Sequence, residues 1–303
     1  MNLLEARKAV GATRPVRAVT DWPPIGHTLA AVACARPFTT PARFVLSEVT
    51  HKREPRRYVL RDSGVAVHIR HGTSDVAIVE EIFVDRVYEP PAHIGELLDG
   101  LGRNLRIADL GANIGLFGAF ALGRWPGAKL VGFEPDPANL EVHRLTLATS
   151  GTRSEWRLVE AAATNVDCEL DFAQGRFAAS AIVAEHPSDS PDIRTVHGVD
   201  AFAWLQESDL VKVDIEGGEW ALLCDPRLAE LPAPVLVVEY HAHLCPGAEP
   251  REVAIDALQR AGYQTSDARL RGAPHGQGML WAWRTEPYRS RTPTAFETPA
   301  ANG

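Results

Sequence analysis

The chain has 303 residues, 45% hydrophobic and 23% charged, which excludes a wholly disordered protein and leaves room for one large domain with an extension or two small ones. Asp plus Glu number 39 against 31 Lys plus Arg, and the net charge of −8 argues against a nucleic-acid partner, which calls for clustered basic charge. The four cysteines, Cys34, Cys168, Cys224 and Cys245, lie far apart without a C-x-x-C pair, suiting neither a zinc ribbon nor a disulfide framework. Charges at Glu5, Arg7 and Lys8 speak against a signal peptide, and the longest apolar run, 110–123, is too short for a bilayer. The expectation is a soluble cytoplasmic protein with no membrane partner.

Residues 1–45 contain Pro15, Pro23, Pro24, Pro37 and Pro41 and suggest no definite elements. From 44 to 87, short stretches read as strands (RFVLSEV, RYVL, VAVHIR, VAIVEEIFV), broken by turns at Asp62-Ser63-Gly64 and His71-Gly72-Thr73. Past Pro90-Pro91 strands and helices alternate. A helix over 94–102, a buried strand over 105–111, a helix over 115–125 and a strand over 129–135 come first. Asp136 followed by Pro137 reads as an N-cap with proline in the first turn of a helix ending near Gly151. Strands at 157–163, 168–172, 209–216, 234–241 and 278–284 then interleave with helices at 199–206, 218–224 and 251–263. This alternation predicts an α/β fold with a doubly wound, mostly parallel sheet. The tail from 285 is rich in Thr, Pro, Ala and Ser and reads as disordered.

The first strand of the alternation runs into Asp109-Leu110-Gly111-Ala112-Asn113-Ile114-Gly115, with Gly118 one turn on. Ligands of open α/β sheets bind beyond the carboxyl ends of the strands, where glycines let backbone approach closely. The string G-x-x-x-G-x-x-G is not the dinucleotide fingerprint G-x-G-x-x-G, and Asp109 would be unfavourable beside a pyrophosphate. It would suit a ligand carrying an ammonium group. Glu134 ends the second strand, 25 residues after Asp109, where an acid commonly accepts hydrogen bonds from ribose hydroxyls. An ammonium near one turn and a ribose beside the next describe S-adenosylmethionine (AdoMet) better than a nicotinamide dinucleotide. The alternative is that both acids only cap helices.

These segments, IADLGANIG, GFEPDPANLE and VKVDIEGGEW, in this order and spacing, resemble the FkbM family of AdoMet-dependent methyltransferases. Upstream, HIRHGTSDVAIVEEIFVDRVYEP is similar to that family's N-terminal region, with its G-T-x-D and E-I-F strings, so the likeness runs over about 60–284. The resemblance implies a class I methyltransferase core of seven strands, the last antiparallel, and usually O-methylation of a small metabolite or sugar. The domains expected are a partly β-rich N-terminal extension over 1–100 covering the acceptor pocket, an AdoMet-binding methyltransferase domain over 101–284, and the disordered tail over 285–303. Carried over, Asp109, Gly111, Asn113 and Gly115 form the loop at the methionine side, and Glu134, bordered by Pro135 and Asp136, holds the ribose. Ala162, within the third strand's end, lies near the adenine, with Glu160 and Asn165 as candidate polar contacts beside it.

The fourth strand ends in the most polar stretch of the chain, Lys212-Val213-Asp214-Ile215-Glu216. Alternation puts Lys212, Asp214 and Glu216 on one side. Only four of the 31 basic residues are lysines, so one inside a strand points either to a need for an ammonium group or to a structural pair with an acid. Two carboxylates beside a cofactor are costly unless paired, protonated or liganded. Glu239 and His241 share a face of the fifth strand, so adjacent fourth and fifth strands would bring all four groups together. Transferring a methyl group to a hydroxyl needs positioning and a base, and His241 or a carboxylate raised by its neighbour could serve. A divalent cation on the same ligands is the less favoured alternative, and no metal site is expected. A non-catalytic AdoMet-binding module, N- or C-directed transfer and a nicotinamide dehydrogenase are the competing readings. The acceptor's identity and any homo-oligomer stay open.

Overall fold

In the computed structural model, residues 23–102, 104–151, 156–173, 181–182, 193–268 and 275–284 are described, and the tail expected from 285 lies outside them. The N-terminal part comprises α1 (Pro23–Ala35), α2 (Pro41–Val49), the antiparallel pair β1 (Arg56–Val59) and β2 (Ala66–Ile69), and α3 (Asp75–Val79), which runs into a π-helical turn over Glu80–Asp85. Helix α4 (Ala92–Gly100) leads into the main sheet.

Two of the four stretches read as strands in this part are helical. RFVLSEV is α2, because Pro41 pre-sets its first turn and the buried Phe44, Ser47 and Glu48 recur at helical spacing. VAIVEEIFV is α3 and the π-helical turn, with Asp75, Val79 and Ile82 buried three to four residues apart. Their β-branched residues favour strands only weakly, and burial at a period of 3.6 overrides that preference.

The main sheet contains β3 (Arg106–Leu110), β4 (Lys129–Phe133), β5 (Trp156–Val159), β10 (Leu210–Val213), β11 (Val235–Tyr240), β12 (Gln264–Asp267) and β13 (Gly278–Trp283). Their order is β12-β13-β11-β10-β3-β4-β5; β13 runs antiparallel to both β11 and β12, and the remaining pairs are parallel. This is the expected α/β architecture, a seven-stranded class I methyltransferase sheet with an antiparallel last strand. Helices α5 (Leu116–Arg124), α6 (Pro137–Thr149), α7 (Phe202–Leu205), α8 (Glu219–Leu223) and α9 (Pro250–Arg260) connect the strands.

The 157–163 strand divides at Glu160. Beyond β5, β6 (Ala162–Thr164) leaves for a four-stranded sheet with β7 (Cys168–Ala173), β8 (Ala181–Ile182) and β9 (Ile193–Asp200), ordered β6-β9-β7-β8. The 199–206 helix shortens to α7 because β9 runs on to Asp200, and β12 had no sequence expectation.

Alternation along the parallel strands feeds two cores. Ile107, Leu130, Leu210 and Val235 join one with Ile114, Phe117 and Phe120, and Phe38, Phe44, Tyr58 and Ile69 of the N-terminal part belong to the same cluster. Ala108, Val131, Val211 and Leu236 face the other core, with Phe202, Trp220 and Leu258. Both sheet faces are therefore covered, as parallel strands require.

Candidate active site

A cavity of about 380 Å³ opens at the carboxyl ends of β3, β4, β10 and β11, within the range of small-molecule sites. At one end it is lined by Gly111, Asn113, Glu134, Pro135, Asn139, Ala162 and Phe172, at the other by Glu81, Tyr88, Lys212, Asp214, Glu216, Glu239 and Gln277.

The glycine string is explained by three close approaches. Gly111 has φ +82°, and a Cβ there would fall 1.8 Å from the Asp214 carbonyl oxygen, so the ends of β3 and β10 meet only because the side chain is missing. A Cβ at Gly115 would press on the His143 ring at 2.8 Å, and one at Gly118 on the Trp156 indole at 2.1 Å. Of the three, Gly111 alone is among the cavity-lining residues; Gly115 precedes α5 in the left-handed conformation and stands behind the wall. Asn113 is also left-handed at φ +46°. Its carbonyl accepts from His143 Nδ1 at 3.0 Å, a ring that burial lowers to about 4 and keeps neutral. Sequence reasoning missed His143, whose only signal was a histidine on the buried face of α6.

Glu134 is buried and accepts from the Asn113 amide at 2.8 Å and the Asp136 amide at 2.7 Å, with Asn139 Nδ2 at 3.5 Å. Burial raises its carboxyl, and the amides oppose that rise. Asp136 does not line the cavity; its carboxylate caps α6 by accepting from the Ala138 amide at 2.8 Å. Pro135 and Ala162 are at the wall as expected, but the polar candidates beside Ala162 turn away. Glu160 pairs with Arg144 outside, and Asn165 donates to Asp225 at 3.2 Å.

Asp109 is the largest departure from expectation. Its carboxylate is fully buried and does not line the cavity; the ammonium beside it is the chain's own, Lys212 Nζ at 3.2 Å. Lys212 also donates to the Gly111 carbonyl at 2.8 Å and lies 3.3 Å from Asp214. Its hydrogen bond goes to Gly111, and the two carboxylates balance its charge. Burial alone would lower Lys212, but Asp109 and Asp214 outweigh it and raise it, so the lysine stays charged and fastens Asp214 to the β3 turn.

Strand β10 stops at Val213, and Glu216 sits in a turn at φ +51° rather than on the strand. The turn still brings it to the expected neighbours. His241 Nε2 lies 3.5 Å from Glu216 and 3.8 Å from Glu239, while its Nδ1 and backbone amide meet Glu219 at 3.2 and 2.7 Å. Burial pulls His241 down, yet Glu219, Asp214 and Glu216 prevail and raise it to about 9. At neutral pH it is therefore protonated, unlike the free base the sequence offered. Desolvation first, then Asp214, lifts Glu216 to about 7. Asp214, Glu216 and His241 each bring one ligand atom within 4.8 Å of the others, a spacing a divalent cation could also use.

Two residues of this end were missed by the sequence reading. Glu81, on the π-helical turn, is raised to about 7 by burial and then by Asp214. Tyr88 reaches Asp214 at 3.4 Å, and its ring lies 5.8 Å from Lys212 Nζ. Glu81 falls in the strand-like stretch VAIVEEIFV and Tyr88 just past it, so nothing in the local pattern places either at the cavity. No described helix is long and apolar enough to cross a membrane.

The model of the methyltransferase FkbM domain matches residues 109–265, just over half of the chain. Methyltransferase sdnD of Sordaria araneosa is 36% identical over 77 residues, covering 25% of this chain and 27% of that relative, so the match spans about a quarter of the relative's length. Among solved structures, a SAM-dependent methyltransferase from Agrobacterium tumefaciens aligns at 12% identity and a TM-score of 0.44, covering 76% of this chain and 70% of that one. Precorrin-6y C5,15-methyltransferase from Geobacter metallireducens aligns at 17% identity and 0.36, covering 64% and 88%. With the family match spanning the Gly111 turn, Glu134 and the ends of β10 and β11, the chain belongs to the FkbM family of AdoMet-dependent methyltransferases.

Proposed function

We propose that this methyltransferase is O-directed, acting on a hydroxyl of a small metabolite or sugar with Glu216 as the base. The observation that carries the reading is the placement of the Glu216 carboxylate on the wall of the cavity that Glu134 also lines, 3.5 Å from His241 Nε2. A base tuned near the working pH is what deprotonation of a hydroxyl needs.

The donor set fits AdoMet. Glu134 offers acceptor oxygens for ribose hydroxyls, Ala162, Ala163 and Phe172 give an apolar wall, and Tyr88, Asp214 and Glu81 surround the far end with groups that favour positive charge. Bound there, AdoMet supplies an activated methyl group. The chain's own work is to hold the acceptor oxygen against that group and to take its proton. Lys212 and Tyr88 hold Asp214 in place, and His241, kept charged by Glu219, holds the Glu216 side chain. His241 Nδ1 is taken up by Glu219, and Nε2 faces both Glu216 at 3.5 Å and the Gln277 amide nitrogen at 3.3 Å, so the ring has protein partners on both nitrogens, which favours this reading over a cation site.

The test begins with calorimetric titration by AdoMet, S-adenosylhomocysteine and NAD, with Mg²⁺ or with EDTA. Labelled AdoMet is then offered to a panel of sugars, polyols and amines. The expectation is micromolar binding of the two adenosyl ligands, silence from NAD, indifference to EDTA, and label recovered in an ether. Glu216→Gln should lower turnover by about 10²–10⁴-fold while leaving S-adenosylhomocysteine affinity intact. Label on nitrogen or carbon would overturn the O-directed reading, and normal turnover by the variant would remove Glu216 as the base.

A further inference from the structure

The G-T-x-D string of the N-terminal part has no place in the chemistry above, since none of its residues lines the cavity. Its geometry is nonetheless strict. Gly72 turns at φ +66° under the His51 ring, where a Cβ would meet Nδ1 at 2.8 Å. The Thr73 hydroxyl donates to the Arg70 carbonyl at 2.9 Å and accepts from the Asp75 amide at 3.2 Å. Asp75, fully buried, then grips Arg70: Oδ2 accepts from its Nε and its backbone amide, and Oδ1 from Nη2, all at 2.9 Å. Such a fork fixes the plane of the guanidinium as well as its position.

The fixed guanidinium faces α6. Nη1 donates to the Ala138 carbonyl at 3.1 Å, and Nη2 to Asn139 Oδ1 at 2.7 Å. An amide whose oxygen is held this way has only its NH₂ left to face the other direction. That direction is Glu134, with Asn139 Nδ2 3.5 Å from Oε1. Without Arg70, Asn139 could turn its oxygen toward the carboxylate and repel it.

We propose that Asp75 and Arg70 are positioning residues for cofactor binding. They set the orientation of the Asn139 amide, and through it the Glu134 carboxylate that takes the ribose. The inference rests on Glu134 being that ribose group. It makes the N-terminal part a working component of the cofactor site, and it gives the G-T-S-D turn a purpose: aiming one side chain from β2 at the start of α6. Groups that orient a binding residue without touching the ligand often matter nearly as much as the residue itself.

Asn139→Asp separates this role from simple fastening. The new carboxylate still accepts from Arg70, so the link between β2 and α6 is kept, but the donor toward Glu134 is replaced by a second negative charge. The full-length protein is titrated with S-adenosylhomocysteine and with its 2′-deoxyribose analogue, and melting temperatures are recorded. Asn139→Asp should bind S-adenosylhomocysteine about ten- to a hundredfold more weakly without melting earlier, because a hydrogen bond to a charged group is lost. Arg70→Lys, which keeps the charge and loses the fork, should bind about tenfold more weakly and discriminate less against the deoxy analogue. It should add little in an Asn139→Ala background, where its target is gone. Unchanged affinity in Asn139→Asp, or additive losses for Arg70→Lys and Asn139→Ala, would overturn the positioning role. If the wild-type protein binds S-adenosylhomocysteine but does not distinguish it from the deoxy analogue, the ribose reading of Glu134 fails first, and the proposal with it.

Discussion

The two ends of the cavity are held in different ways. Around Glu134 the polar groups lean mainly on backbone, the Asn113 and Asp136 amides serving Glu134 at 2.8 and 2.7 Å and the Ala138 amide serving Asp136, with the Asn139 side chain farther off at 3.5 Å. Around Glu216 they lean mostly on one another: Lys212 on Asp109 and Asp214, His241 on Glu216 and Glu219, Tyr88 on Asp214. A backbone donor has few alternative positions, so changes at the first end reach Glu134 chiefly through the Asn139 side chain. A set of mutually held charges shares its protons, so a change at one member is felt by the others and by the pH response. On the proposed function, the first arrangement would place the ligand and the second would keep Glu216 close to its working protonation.

Gly111 is where the two ends touch, and it offers the most severe test of that contrast. Gly111→Ala combines a strained φ with a Cβ 1.8 Å from the Asp214 carbonyl oxygen, and backbone cannot rotate away as a side chain can. The expected cost is about 3 kcal/mol or more in thermal unfolding, with loss of S-adenosylhomocysteine binding. Gly115→Ala meets a ring edge at 2.8 Å at a similar φ and should cost less. Equal losses for the two would mean that the junction between the ends has no special rigidity.

The shared protons of the second end predict a bell-shaped profile for turnover. Glu216 must be unprotonated to act as a base, so activity should rise as pH passes through about 7. His241, raised to about 9, should lose its proton above that value, releasing Glu216 and ending the plateau. For stability the sign is separate: a raised histidine contributes most below its ordinary value of 6.5, and the contribution is lost as pH climbs through about 9. Glu216→Gln should abolish the acid limb in whatever turnover remains. A profile flat from pH 6 to 10 would break the picture of a proton-sharing cluster.

The contrast also explains what the sequence could reveal. The order of strands and helices after Pro91 was legible because buried parallel strands and capped helices announce themselves locally, as Asp136-Pro137 does. The cavity positions of Gly111, Glu134, Asp214 and Glu216 were legible because each follows the end of a strand in the pattern the chain resembles. Asp109 was not, because the same carboxylate suits a ligand's ammonium or a lysine's, and only the register of Lys212 against Asp109 decides between them. Glu81 and Tyr88 were illegible for another reason. Glu81 lies in a π-helical turn whose residues, Ile82, Phe83 and Val84, look like a strand, Tyr88 lies in the turn that follows it, and the approach of both to the cavity is fixed by tertiary packing.

Glu81 sharpens the comparison from the stability side. Burial raises it from 4.5 to about 7, so folding forces a carboxylate into a setting that disfavours its charge. With the folded value above the unfolded one, its stabilising contribution is present at low pH and lost as pH rises from about 4.5 through about 7. Glu81→Gln should therefore raise the stability of the unliganded protein at pH 8 by about 1–3 kcal/mol and change it little at pH 4. Melting curves at the two pH values check this. A pH-independent difference would assign the effect to packing instead of charge.

The smallest expected effect lies at Glu160, the polar neighbour that the sequence put forward for the adenine. Its carboxylate pairs with Arg144 at 2.5 and 2.8 Å on the surface, at the point where β5 ends and the chain leaves for the second sheet. Both partners are about half exposed, so the pair competes with water and with its own side-chain entropy. Glu160→Gln should shift unfolding by about 0.5 kcal/mol or less, shrinking further in salt, and should leave S-adenosylhomocysteine affinity within about twofold. A larger loss of affinity would mean that the adenine end does use a side-chain acceptor after all. The distinction between a backbone-held end and a side-chain-held end would then no longer describe this cavity.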